Sequence, residues 1–437
     1  MDDATLGKYY NQCDPNRALE PDDARNVNID AEGVRGRNWS ARLFNLIRYS
    51  DSPVCELFTG LPGSGKSTEL KRLVLTLESN RFLPVLIDAE DAIDLTNTVD
   101  IPDVLAILVH AVERKVIEFE GGDPETALKD GYLTRLWDWV SNTDLDLKGG
   151  DLKVGDAAKL NVELKTRPTL RAKVRSVIAA HLPRFLEQVR NELNRLQARV
   201  KLTRPNGIVV IFDSLEKLRG TFTTHDEVQS SAERVFVGGR AYLEQPVHTL
   251  YTVPTYLVSR AYLAGIEFMP MIKLRDRDGR DFPPGIKVAR EIIRRRIPDA
   301  DMPEILGQDF ETQLKRIIDA SGGYPRELIR MLRLILLSEQ LPASQADVQR
   351  VLNDVRDQQS TAMLSEDFPW LALVAIDKNL VVQNEAHRKV ADRMLTYNAV
   401  LRYQNNSMWY DVHPLVREIP GVKAEIERQT QAARPVS

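Results

Sequence analysis

The sequence predicts an α/β fold: a parallel, doubly wound sheet of the phosphate-loop type, followed by a helical lid and a small C-terminal domain. Three observations predict it. Short apolar runs suited to buried strands alternate with helical periodicities over the first 280 residues. One such run, "VCELFT", is followed by "GLPGSGKST" and then by a helical pattern. Beyond residue 282 the strand signals give way to amphipathic helices and one hairpin.

The glycine-rich stretch carries the chemistry. Gly60, Gly65, Lys66 and Ser67 have the G-x-x-x-x-G-K-S spacing of a phosphate loop. Glycine is needed there because the backbone must wrap an anion closely and visit positive φ. The freed N–H groups of Pro62–Thr68, Pro62 itself excepted, and the helix N-terminus then face the phosphates. Gly60, Pro62, Gly63, Ser64, Gly65, Lys66, Ser67 and Thr68 are therefore the candidate nucleotide-binding set. Lys66 is expected to reach the β- and γ-phosphates of ATP, and the Ser67 hydroxyl to ligate Mg²⁺.

Composition bounds the rest. The chain has 437 residues, enough for two or three domains, with 43% apolar and 28% charged content. No run of eighteen apolar residues suits a membrane span. The acidic, polar "MDDATLGKYY" is unlike a signal peptide, and two cysteines, Cys13 and Cys55, are too few for a disulfide framework. A reducing, cytoplasmic compartment is the expectation. A net charge of −4 argues against a global nucleic-acid binder.

Taken in order, residues 1–50 hold turn chemistry and then "VRGRNWSARLFNLIRYS", a helix leading into the first strand. Residues 51–282 form the expected core. "FLPVLIDAED" is its second strand, and "VDIPDVLAILVHAVERKVIEF" is a helix burying Val104, Leu105, Leu108 and Val112. Residues 119–205 interrupt the alternation. "LDLKGGDLKV" and "LNVELK" suggest a hairpin, and a helical arm follows, with Pro183 kinking it or starting its second half. In that half Leu186, Val189, Leu193, Leu196 and Val200 form a seam suited to a partner helix. Residues 161–205 hold eleven Lys or Arg against three Asp or Glu, which fits either a solvated face or contact with nucleic acid or an acidic partner.

The sheet resumes at "GIVVIFDSLEKL". Asp213 ends that strand at the C-terminal edge, where ligands bind in such sheets, and is expected to support Mg²⁺ with Ser67. "TLYTVP" could carry a polar sensor, Thr252 or Thr255, and "FMPMIKL" completes five strands. Residues 283–345 read as a helical lid, starting with "KVAREIIRRRIP" and containing "ASGGYPRELIRMLRLIL", where Arg326 lies in an opening helical turn. Residues 346–437 alternate helices with a hairpin turning at Asn405-Asn406.

In this order, "GLPGSGKST", "VVIFDSLEKL", "LYTVPT" and "SGGYPRELIRMLR" resemble the AAA+-like ATPases of the origin-recognition and STAND branch. The "LFTG" opening and "WYDVHPLV" close look like bacterial ATPases of defence neighbourhoods. The resemblance implies an ATPase core, a lid and a C-terminal winged helix, with Arg326 reading the nucleotide and Val34, Arg35 and Gly36 near the adenine. One departure stands out. Asp213 is followed by Ser214 where many AAA+ enzymes have a second carboxylate, and a serine is too weak an acid to serve as a base unassisted. Glu216 is the nearest replacement, its alternative role being a surface charge on the next turn.

This reading implies a slow, Mg²⁺-dependent ATPase acting as a switch on a partner effector, in anti-phage defence by the resemblance, with a homo-oligomer possible. The alternatives are a ring-forming DNA-loading machine, with Arg240 and Arg294–Arg296 as candidate trans arginines, and a nucleotide-bound scaffold without turnover. The winged helix could contact DNA or only protein. No nuclease, protease or deaminase constellation is visible, and the six histidines are scattered, so a destructive activity is expected of a partner.

Overall fold

The computed structural model describes residues 1–143, 168–221, 223–260 and 265–432. Five strands form one sheet: β1 (Cys55–Gly60), β2 (Leu83–Asp88), β3 (Ile208–Asp213), β4 (His248–Thr252) and β5 (Glu267–Met269), in the order β2-β3-β4-β1-β5. The β2–β3, β3–β4 and β4–β1 pairs are parallel. This is the doubly wound sheet of a phosphate-loop fold, with β1 leading into the glycine loop. Every residue of β3 is buried, as its unbroken run "IVVIFD" requires of a strand covered on both faces.

The chain divides into two compact units. One comprises Leu43–Thr59 and Arg72–Glu267, and the other Met1–Arg42, Gly60–Lys71 and Phe268–Ser437.

In the first unit α1 (Ile101–Phe119), which packs on the sheet, shares one apolar core with α2 (Pro168–Ala180) and α3 (Leu182–Lys201). Asp100 and Asp103 form a capping box that starts α1, with Pro102 in its first turn. Val104, Leu105, Leu108 and Val112 are fully buried, as their spacing predicts. Pro183 lies in the first turn of α3 and separates it from α2.

The seam expected of the helical arm packs within the chain's own core. Leu186, Val189, Leu193, Leu196 and Val200 are all buried in the same core as α1. The partner helix is the chain's own α1. The cations follow suit: Arg199 pairs with Glu120, Arg195 with Glu192, and Arg175 with Asp103. A buried seam of this kind is strong enough that replacing Leu193 by Ala costs about 2–5 kcal/mol. The expected hairpin between residues 145 and 165 lies outside the described residues.

The second unit contains α4 (Pro283–Arg294), α5 (Phe310–Ser321), α6 (Pro325–Ile335) and α7 (Gln345–Ser360), whose apolar faces share one core. Val288, Ile292, Ile293 and Ile297 face inward, as expected. Tyr9, Cys13 and Val34 join that core, so part of the N-terminal lead-in packs with the lid. Next come α8 (Phe368–Asp377), α9 (Glu385–Thr396), the antiparallel pair β6 (Val400–Gln404) and β7 (Met408–Val412), and α10 (Pro420–Ala432). These helices and their hairpin have the composition of a winged helix. Tyr403 and Trp409 stack across the strands at 4.5 Å between ring centroids, and both are buried.

Candidate nucleotide site

The phosphate loop lies in the second unit with the lid and winged helix, and its glycines are there for stated reasons. Gly63 has φ +79° and Gly65 φ +95°. A Cβ on Gly63 would stand 2.7 Å from the Arg326 Cβ and 2.8 Å from the Tyr324 ring. Lys66 is 4% exposed, and its Nζ donates to the Gly60 carbonyl at 2.8 Å and the Leu61 carbonyl at 3.4 Å. The lysine is thus held along the loop by the loop's own backbone.

Arg35 braces the loop from a second direction. Its guanidinium is fully buried, donates to the Ser64 carbonyl, and lies 3.6 Å from Asp30 and 3.8 Å from Glu69. Asp30 in turn accepts from the Trp39 backbone N–H at 3.0 Å. The residue expected near an adenine therefore contacts the phosphate loop itself. Two acids flank this one buried cation, and its bond to the Ser64 carbonyl fixes that residue in place.

The lid contributes the turn Ser321–Arg326. Gly322 and Gly323 have φ +59° and +76°, and a Cβ on Gly323 would lie only 1.8 Å from the Ile272 carbonyl oxygen. This close approach explains why "GG" precedes Tyr324. Pro325 then opens α6, placing Arg326 in its first turn against Gly63. Residue 398, which sequence reasoning missed, completes the group. Asn398 adopts φ +57°, is 7% exposed, and its amide donates to the Tyr324 hydroxyl at 2.9 Å and the Pro62 carbonyl at 3.3 Å. An asparagine before a strand is a faint signal for a left-handed residue. Nothing in one sequence says that it lies beside Pro62.

Around the loop, Ser64 Oγ, Arg35 Nε, Arg326 Nε and Asn398 Oδ1 are buried with no hydrogen-bond partner among the described residues. Buried polar atoms are normally satisfied. Three of them, Ser64 Oγ, Arg35 Nε and Arg326 Nε, can donate, and three donors around a positive-φ glycine loop with a lysine fit an incoming oxyanion.

Within the first unit, carboxylates gather at the C-terminal edge of the sheet. Asp213 closes β3, is 7% exposed, and its Oδ1 accepts from the Ser214 backbone N–H at 2.8 Å. Ser214 itself has φ +66°, a sharp turn that no glycine eases. Asp88 closes β2 in register with Asp213, a second carboxylate at that sheet edge which the sequence reading passed over. Asp88 is exposed and caps the turn that follows it, accepting from the Glu90 backbone N–H at 3.0 Å. Glu216 lies in the short turn Leu215–Lys217 and is 8% exposed. The Thr252 hydroxyl accepts from the Leu215 backbone N–H at 3.1 Å and donates to the Phe212 carbonyl at 3.3 Å. It thereby ties the tip of β4 to the turn bearing Glu216.

The candidate trans arginines divide by exposure. Arg294 and Arg295 are exposed and pair with Glu291, whereas Arg296 is 5% exposed and bonds the Ile292 carbonyl. Arg240 donates to the Cys55 carbonyl at 3.0 Å. Among the described residues no cluster of three or more His, Cys, Asp or Glu could hold a metal alone. No described helix is long and apolar enough to cross a membrane.

No family model and no curated protein matches this chain. Among solved structures it is similar to a Walker-type ATPase of Pyrococcus abyssi, with 14% identity over 89% of this chain and 94% of that one and a TM-score of 0.41. It is also similar to Cdc6p from Pyrobaculum aerophilum, with 10% identity over 98% and 99% and a TM-score of 0.35. A third is the ORC2 protein of Aeropyrum pernix, solved in ADPNP and ADP complexes, with 13% identity over 96% and 98% and a TM-score of 0.33. These likenesses are distant, and the phosphate-loop fold rests on this chain's own sheet and glycine loop.

Proposed function

We propose that this chain is an ATP-binding molecular switch that hydrolyses slowly and controls a partner effector protein. The observation that supports this most is the meeting of three regions on one loop: Tyr324 and Arg326 of the lid lie against Gly63, and Asn398 of the winged helix bonds Pro62. A phosphate group entering the loop changes what these residues face. The lid and the winged helix thus sense occupancy directly, as switch segments must.

The roles follow from the residue chemistry. Lys66 and the loop N–H groups hold the β- and γ-phosphates, with Ser64, Ser67 and Thr68. Ser67 and Asp213 hold Mg²⁺, which when bound neutralises charge on the transferring phosphoryl group. Arg326 reports the phosphates to the lid, Arg35 fixes the loop through Ser64, and Thr252 positions the turn that bears Glu216. Glu216 is the base that orients water. Its place three residues beyond Asp213, past a left-handed serine, favours slow turnover.

A competing reading is a ring-forming DNA-loading ATPase. It draws support from the exposure of Arg294 and Arg295, at 58% and 45% of the side chain, since a trans arginine must be accessible. One measurement separates the two: steady-state ATP hydrolysis with and without duplex DNA. A switch turns over well below about 10 per second and ignores DNA, whereas a loader is stimulated by it.

A further inference from the structure

A cleft of about 580 Å³ lies within the second unit, between lid helices α5 and α7 and the hairpin β6–β7. That volume is in the range of small-molecule sites. Its lining holds five cations, Arg275, Arg316, Arg356, Lys378 and Arg417, against four carboxylates. Arg316 of α5 reaches into it with its guanidinium held only by two neutral amides, Gln313 at 2.8 Å and Gln349 at 2.5 Å. No carboxylate pairs with Arg316 among the described residues. Arg356 of α7 pairs with Asp357, which is 65% exposed and weakly held.

The acids of the cleft are already committed. Asp411 is shared by Lys378 at 2.7 Å and Arg417 at 2.5 Å, and Asp319 by Lys315 at 3.1 Å and Arg275 at 3.4 Å. Asp276 accepts from its own turn, and Glu418 pairs with Lys423 at 3.2 Å. The positive charge is therefore in excess. One further donor points to a ligand. Trp409 lines the cleft, is 4% exposed, and its indole Nε1 has no hydrogen-bond partner among the described residues. An indole N–H normally finds a partner when buried.

We propose that this cleft binds a small phosphorylated molecule, separate from the nucleotide of the phosphate loop. Phosphate is the anion that matches planar, forked guanidinium donors, and Arg316 and Arg356 present two of them from adjacent helices. The site also has a route to the loop. Gly322 lines the cleft and accepts from the Tyr403 hydroxyl at 2.6 Å, and the same turn continues through Gly323 to Tyr324 and Arg326 against Gly63. A ligand that braces Tyr403 and Trp409 against the lid thereby biases the lid turn that touches the phosphate loop. By reciprocity, occupancy of either site changes affinity at the other.

The test uses the full chain carrying Lys66→Ala, which weakens the phosphate loop. Inorganic pyrophosphate and tripolyphosphate are titrated by calorimetry and by tryptophan fluorescence. The expected result is one site with a Kd below about 1 mM. Arg356→Gln, a change at a side chain that is 27% exposed and pairs with the exposed Asp357, is expected to weaken it at least about tenfold, and Arg316→Gln likewise. Trp409→Phe is expected to abolish the fluorescence change while the heat persists. Binding that is absent up to about 10 mM, or that is unchanged by Arg356→Gln, overturns the proposal.

Discussion

The side-chain amide of Asn398, at the mouth of the winged helix, donates to the carbonyl of Pro62 inside the phosphate loop at 3.3 Å. The same amide bonds the Tyr324 hydroxyl of the lid at 2.9 Å, so one side chain joins three regions far apart in sequence. Replacing it with aspartate keeps the shape, removes the donor and adds a negative charge beside the loop. Asn398→Asp is expected to weaken ATP binding about tenfold, with little change in melting temperature. Calorimetry with ATP decides it, and an affinity equal to wild type would remove Asn398 from the switch.

Lys66 is the cation on which nucleotide binding rests. Lys66→Ala is expected to lower ATP affinity at least about tenfold, since charged hydrogen bonds of this kind contribute roughly 1.5–3 kcal/mol. The same titration on Arg35→Ala tests the brace. That variant leaves Asp30 and Glu69 facing each other without their cation, so it is expected to lose both binding and thermal stability.

Turnover tests Glu216. Glu216→Gln preserves size and burial but cannot accept a proton, so ATP is expected to stay bound while hydrolysis falls about 10²–10⁴-fold. Single-turnover hydrolysis of radiolabelled ATP reads this directly. A variant that hydrolyses at the wild-type rate would move the base elsewhere.

Gly323 tests the lid turn. Its Cβ would lie 1.8 Å from the Ile272 carbonyl oxygen, and its φ of +76° disfavours any side chain. Gly323→Ala is expected to destabilise the chain by more than about 3 kcal/mol, seen as a lower urea midpoint. Gly33, at φ +65° with open space around it, is the control: its alanine variant meets only the conformational penalty of about 1–2 kcal/mol.

His413 sets an acid limit. It is fully buried, its Nδ1 accepts from the Leu415 backbone N–H at 3.2 Å, and burial pushes its pKa down to about 3. The unfolded histidine titrates near 6.5, so between those values the unfolded chain binds the extra proton. Its contribution is complete above pH 6.5 and is lost as pH falls toward 3, by up to about 1.4 kcal/mol per pH unit. His413→Gln is expected to flatten that part of the stability profile, measured as urea midpoints from pH 7 to pH 4.

The strands, the glycine loop and the opening turn of α6 were legible in the sequence because each depends on short-range chemistry. Alternation of apolar runs set the sheet, positive-φ glycines set the loop, and Pro325 set where α6 begins. Asp213 was legible for the same reason, since a carboxylate ending a buried strand emerges at its edge. The seam of α3 was legible as a packing surface, but what it packs on was not, because periodicity says that a face is buried and never against what. Only the tertiary structure decided that α1 covers it, that Arg35 braces Ser64, and that Asn398 meets Pro62. Those contacts join residues from 29 to 336 positions apart, and they are chosen by which surfaces the folded chain brings within a few ångströms.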